Sequence, residues 1–245
     1  MSRRSVRAVV VLGVALVAAT VLAGCVQGSG NVITESRDVS EFDEVELTGI
    51  GRLEISQGAT TELTVTADDN LMQYIETEVE GDTLLISVKH RSLPFFTVNP
   101  TETIVYELTV PSLTRVSLSG SGKIVVDGLE TDEFTVEISG SGDLEASDLR
   151  ADSFTYQLSG SGKATVSGKV DSQDVQVSGS GRLEAEDLQS AEAFIEISGS
   201  GRAVLWVTDQ LDVQISGSGD VQYYGSPEVS QDVSGSGNIK GLGSK

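Results

Sequence analysis

The stretch Phe134-Thr135-Val136-Glu137-Ile138-Ser139-Gly140-Ser141-Gly142-Asp143-Leu144-Glu145-Ala146 holds the fold in miniature. Apolar side chains occupy every second position up to Ile138, and again at Leu144 and Ala146. Alternation with period two gives a strand one face for a core and one for water. Between the two strands stands Ser139-Gly140-Ser141-Gly142, where glycine permits a sharp change of direction. The same four residues begin at Ser119, Ser139, Ser159, Ser178, Ser198, Ser216 and Ser234, at spacings of 20, 20, 19, 20, 18 and 18 residues. Their flanks recur too. Apolar residues stand one, three and five positions before the first Ser (Phe154, Tyr156, Leu158; Leu211, Val213, Ile215), and five and seven after it (Ile124, Val126; Leu183, Ala185). Leu129, Leu149 and Leu188 lie ten positions before the next corner.

Each unit of ~20 residues is therefore a strand, a corner, a second strand, a turn and a short third segment. One unit cannot bury its own apolar face, but stacked units can, each strand pairing with its equivalent in the next coil. The expected fold is all-β, a right-handed single-stranded parallel β-helix. Val45–Ile55 supplies an eighth, degenerate coil with Thr48-Gly49-Ile50-Gly51 as its corner. Eight rungs at ~4.8 Å make a rod ~40 Å long. A propeller blade needs about twice this period.

Residues 116–245 hold the regular coils, and 56–115 do not repeat. That stretch reads as strands at 62–67, 77–80, 83–89 and 103–110, a turn or short helix near 68–75, and a hairpin tip at Glu80-Gly81-Asp82. No linker flanks it. It is taken as an elaborated first half of one body spanning 31–245. Residues 92–100 form a Pro-containing loop that carries Phe95 and Phe96.

The start of the chain obeys other rules. Arg3, Arg4 and Arg7 precede an apolar run, Val9 to Leu22, which fits a signal-peptide core and is short for a membrane span. The run ends in Leu22-Ala23-Gly24-Cys25, which resembles the bacterial lipobox. That resemblance implies cleavage before Cys25 and acylation of its thiol. Residues 1–24 are then a signal peptide, and 25–30 the lipidated Cys25 with a short tether. Two or more acyl chains hold a protein stably on a membrane. Nothing after Cys25 reads as a membrane span, so the lipid is the expected anchor, at a cell membrane or an outer membrane. Cys25 is the chain's single Cys and His90 its single His, so neither an intramolecular disulfide nor a zinc site is expected.

Removing residues 1–24 leaves 13 basic against 37 acidic residues, a net charge of −24. Such a surface repels nucleic acid, which is not an expected partner.

The candidate sites are few. Ser119-Gly120-Ser121-Gly122-Lys123 leads into a strand, whereas a phosphate-binding loop opens a helix. The corners are read instead as bends whose stacked Ser hydroxyls bond one another. No Gly-x-Ser-x-Gly elbow occurs. Calcium-binding nonapeptide coils need an Asp in every repeat. The equivalent column here reads Arg52, Lys123, Asp143, Lys163, Arg182, Arg202, Asp220, Asn238, which places opposite charges side by side but makes no cation ladder. A second outward column reads Glu46, Ser117, Glu137, Gln157, Gln176, Glu196, Gln214, Asp232. Glycosidic cleavage needs a pair of carboxyl groups, and Glu137 and Glu196 fall too many coils apart to form one. Trp206 and Tyr224, each eight positions after its corner Ser, are candidate binding residues, as are Phe95 and Phe96. They either pack beneath the C-terminal end or form an aromatic surface for sugar or protein.

Gly30-Asn31-Val32-Ile33, Phe42–Ile55, Leu84–Val88, Val110-Pro111-Ser112-Leu113 and the seven corners, in that order, resemble the putative autotransporter adhesin head domain family, called the head GIN domain. The resemblance implies an exported bacterial protein with a right-handed β-helix-like body. It brings no catalytic residues, cofactor or metal. The leading expectation is a non-enzymatic, lipid-anchored envelope protein presenting an acidic β-helix face to a glycan or protein. A polysaccharide-active lyase or hydrolase, and a purely structural envelope component, are the alternatives.

Overall fold

The structure, a computed structural model, describes residues 25–88 and 97–245. The expected signal peptide, Phe95 and Phe96 lie outside these residues. The strands are β1 Cys25–Gln27, β2 Val32–Arg37, β3 Glu44–Gly49, β4 Arg52–Gln57, β5 Glu62–Asp68, β6 Ile75–Glu80, β7 Thr83–Val88, β8 Thr97–Asn99, β9 Val105–Val110, β10 Arg115–Gly120, β11 Lys123–Asp127, β12 Glu133–Gly140, β13 Asp143–Gly160, β14 Lys163–Gly179, β15 Arg182–Gly199, β16 Arg202–Gly217, β17 Asp220–Tyr224, β18 Glu228–Gly235 and β19 Asn238–Gly243. Seventeen of them form one continuous sheet.

That sheet winds as a parallel β-solenoid with two long ladders. The first runs β7, β3, β10, β12, the later halves of β13 to β16, and β18. The second runs β9, β4, β11, the earlier halves of β13 to β16, β17 and β19. The corner stands between the ladders. Thr48 pairs with Ser119, which pairs with Ser139, so the degenerate coil sits in register below the regular ones.

The repeating odd positions build the core. Val45, Val116, Val136, Tyr156, Val175, Ile195 and Val213 form one buried column; Leu53, Ile124, Leu144, Ala164, Leu183, Ala203 and Val221 form another. Phe134 and Phe154 stack inside with centroids 6.3 Å apart. Gln173 interrupts their column. It is buried, donates to Ser190 Oγ at 2.9 Å and to the Leu188 carbonyl at 3.3 Å, and so ties one coil to the third face of the next.

Both glycines of the corner have a steric reason. Gly160 has φ 136°, and a Cβ there would lie 2.2 Å from the Gly140 carbonyl oxygen beneath. The second glycine faces inward. A Cβ on Gly181 would lie 1.8 Å from Leu158 Cδ2. The expected chain of Ser hydroxyls is replaced by backbone bonds. Ser141 N–H donates to the Gly120 carbonyl at 2.9 Å and Ser161 N–H to that of Gly140 at 2.8 Å, and the pattern continues up the stack. The turn already points these amides at the coil below, so the hydroxyls are left to the solvent.

The non-repeating stretch completes the lower end of both ladders. β7 joins β3 and β9 joins β4, both parallel; β6, β5 and β2 then close the end as antiparallel strands. The turn between β5 and β6 is a 3-10 helix, Met72–Tyr74. At the other end the last coil is open, and its inward Val233 is 39% exposed.

Candidate functional site

Among the described residues, three places on this body gather the polar or aromatic chemistry of interest. The first is the outer face of the first ladder. Even-numbered offsets from the corner point outward there, so Glu46, Ser117, Glu137, Gln157 and Gln176 stand in one column beside Ser119, Ser139, Ser159 and Ser178. They line a groove of about 400 Å³. Arg115 is ion-paired with Glu137 of this column and with Glu44 at 3.3 Å. Glu46 and Glu137 are two rungs apart with Ser117 between them, and Glu196 is separated from Glu137 by Gln157 and Gln176.

The same face carries an aromatic ring that the motif reading passed over. Phe194 pairs with Asp174 on one side and Asp212 on the other, and it is half-buried. It lines a depression of about 270 Å³ with Gln210 and Glu192. Parity was its signal. It lies four positions before Ser198, an outward offset, in the strand Ala193-Phe194-Ile195-Glu196-Ile197.

The second place is Trp206 with Tyr224. They are direct partners on the second ladder and both half-buried, while their neighbours Leu205 and Tyr223 turn to the core. The Lys245 ammonium lies over both rings, 5.4 Å from the Trp206 centroid and 5.5 Å from that of Tyr224. It also contacts the Asp187 carboxylate and the Glu186 carbonyl. The column Arg52 to Asn238 lies in register on this ladder too. Its ion pairs run mostly on the diagonal: Lys123 with Glu145 at 2.7 Å and Lys163 with Glu184 at 2.6 Å, with Arg202 and Asp220 pairing directly at 3.2 Å.

The third place is the lower end, where Asp68-Asp69-Asn70 grips the segment after Cys25. Gly30 N–H donates to Asp68 Oδ1 at 2.7 Å, while Thr101 donates its hydroxyl to Oδ1 at 2.6 Å and its N–H to Oδ2 at 2.9 Å. Asp69 accepts from Ser29 Oγ and Asn31 Nδ2, and Asn70 bonds Ser29 N–H and the Gln27 carbonyl. The Thr101 hydroxyl foremost, with further donors, holds the Asp68 carboxyl below its ordinary value, and Ser29 does the same for Asp69. β1 pairs with β8. The stretch read as a tether is thus bound to the body, and Cys25 itself is exposed at its start.

Residues 41–227 match the model of the family described as "Putative auto-transporter adhesin, head GIN domain". A solved putative adhesin from Bacteroides fragilis is 26% identical, with a TM-score of 0.83, and covers 89% of this chain and 100% of its own. A putative lipid binding protein from Parabacteroides distasonis is 30% identical, with a TM-score of 0.76 over 89% of this chain and 99% of its own. A putative adhesin from the same species, 23% identical with a TM-score of 0.68 over 89% of this chain and all of its own, shares the fold. No curated protein matches the chain.

Proposed function

Because the chain belongs to the family of putative auto-transporter adhesin head GIN domains, we propose that it is a non-enzymatic, lipid-anchored protein of the cell envelope whose first-ladder face binds a glycan. The observation that supports this reading is the composition of that face. Serine hydroxyls repeat along the groove, at Ser119, Ser139, Ser159 and Ser178, with the amides of Gln157 and Gln176 beside the upper two, and there sugar hydroxyls find donors and acceptors. Phe194 sits between Asp174 and Asp212 as an apolar platform for a sugar ring, with carboxylates at its rim. Glu137, the carboxylate nearest the middle of the groove, is engaged by Arg115 and has no partner carboxylate on an adjacent rung. A binding surface fits this arrangement better than a cleavage site.

Cys25 supplies the attachment. Leu22-Ala23-Gly24-Cys25 is the signal for it, and the exposed thiol leaves room for an acyl chain. The partner is then reached at the envelope surface, since the solenoid is bound close behind the lipid.

The test uses the full chain in a nonionic detergent against a panel of envelope and surface glycans. Phe194→Ala is expected to weaken binding about tenfold, the scale of one aromatic contact. Gln157→Ala with Gln176→Ala should weaken it further. Equal binding by wild type and all three substitutions would remove the glycan reading of this face. In cells, Cys25→Ser should abolish palmitate labelling and release the protein from the membrane fraction.

A further inference from the structure

Trp206 and Tyr224 lie on a different ladder from the groove, and the chemistry around them is that of a cation site. Two aromatic faces point at one ammonium, at 5.4 and 5.5 Å. The negative face of each ring attracts a cation at this range. The Asp187 carboxylate and the Glu186 carbonyl accept hydrogen bonds from the same nitrogen. Residues 186–188 form a bulge, where the register with β16 slips between Ala185 and Gln189. The bulge brings acceptors to the rim of an aromatic pair that a regular rung would leave bare. One oxygen of the Glu186 carboxylate is shut off from water with no hydrogen-bond partner.

We propose that Trp206, Tyr224, Asp187 and the Glu186 carbonyl form a binding site for a primary alkylammonium group, the lysine side chain of a protein partner, and that Lys245 is its intramolecular occupant. The acceptors set the chemical class. A primary ammonium brings three N–H donors to satisfy a carboxylate and a carbonyl, whereas a quaternary ammonium brings none. Occupation by Lys245 makes the site self-competing. Its tethered ammonium is present at an effective concentration in the millimolar range, so an incoming lysine must displace it. This assignment is independent of the glycan reading of the first ladder.

Trp206 is the chain's single Trp, so the intrinsic Trp emission reports on this site alone. The experiment titrates the full chain, in a nonionic detergent, with Nα-acetyl-lysine amide. In Lys245→Ala the emission should shift saturably, and wild type should need about tenfold more ligand for the same shift. The neutral Nα,Nε-diacetyl-lysine amide should leave the emission unchanged, and choline should bind less tightly than the lysine analogue. Asp187→Asn in the Lys245→Ala background should weaken the lysine analogue about tenfold, as expected for a charge-assisted hydrogen bond. A flat titration in Lys245→Ala would overturn the proposal. So would equal responses in wild type and Lys245→Ala, or equal binding of the diacetylated analogue. Choline binding as tight as the lysine analogue would overturn the primary-ammonium assignment.

Discussion

Single residues in this solenoid matter according to whether the coil below leaves them room. Gly160 combines φ 136° with a backbone oxygen 2.2 Å from any added Cβ. Gly160→Ala therefore meets a backbone penalty and a clash with an atom that cannot swing away. The two effects together should cost about 3–5 kcal/mol. Gly81 is the internal control. Its φ is +63°, but nothing lies within 4 Å of an added Cβ, so Gly81→Ala should cost only about 1 kcal/mol. Urea unfolding midpoints decide between them; equal losses would show that the corner tolerates expansion. Tyr156 makes the opposite case. It is fully buried in a column of Val and Ile, and its hydroxyl has no hydrogen-bond partner. Burial above all, then the charge of Asp143, pushes the phenol's pKa up. Tyr156→Phe removes a desolvated group without changing the ring, and should raise stability by about 1 kcal/mol in the same measurement.

At the scale of elements, the lower end is held by hydrogen bonds to ionised carboxylates. Both Asp68 and Asp69 have folded-state values below the ordinary 3.8. A depressed carboxyl stabilises the folded form above its unfolded value, and that contribution disappears as pH falls through the folded value. The clamp on residues 27–31 should therefore be intact at pH 7 and released only as pH falls through folded values that lie below 3.8. Hydrogen exchange of the Gly30 and Thr101 amides, followed from pH 6 to pH 3 and corrected for intrinsic rates, should show protection lost in the acid limb. Asp68→Asn should lose it at all pH values, and equal protection in wild type and Asp68→Asn at pH 6 would show that β1–β8 pairing alone holds the segment. The clamp was not legible in the sequence. The contacts of Ser29 and Asn31 with Asp69 bridge 40 and 38 residues and obey no period, and Asp68-Asp69-Asn70 reads only as a turn. The coils were legible because an alternating strand and a fixed corner repeat at one spacing, and stacking is the only way to bury their common face. Phe194 was available to the same parity rule. Lys245 was not, because its contact with Asp187 returns across 58 residues from beyond the last repeat.

For the molecule as a whole, the dominant unbalanced quantity is charge. From Cys25 onward, 37 acidic residues face 13 basic ones. Several of those bases, Arg115, Lys123, Lys163, Arg202 and Lys245 among them, are already committed to ion pairs. The surplus carboxylates are arranged by the solenoid itself, in outward columns with a rung every ~4.8 Å. At 0.01 M salt the screening length is ~30 Å, so each such charge feels several rungs; at 0.3 M it falls below 10 Å and only near neighbours count. Surface ion pairs weaken over the same range, but each contributes ~1 kcal/mol or less, and they are outnumbered by the unpaired acids. Net repulsion should therefore win at low salt. Raising NaCl from 10 mM to 300 mM is expected to stabilise the full chain by about 1 kcal/mol, a rise in Tm of roughly 2–4 °C for a protein of this size. Thermal unfolding in a nonionic detergent, followed by circular dichroism at 218 nm, measures it. A Tm that falls with salt would mean that the diagonal Lys–Glu and Arg–Asp pairs, few as they are, outweigh the surplus.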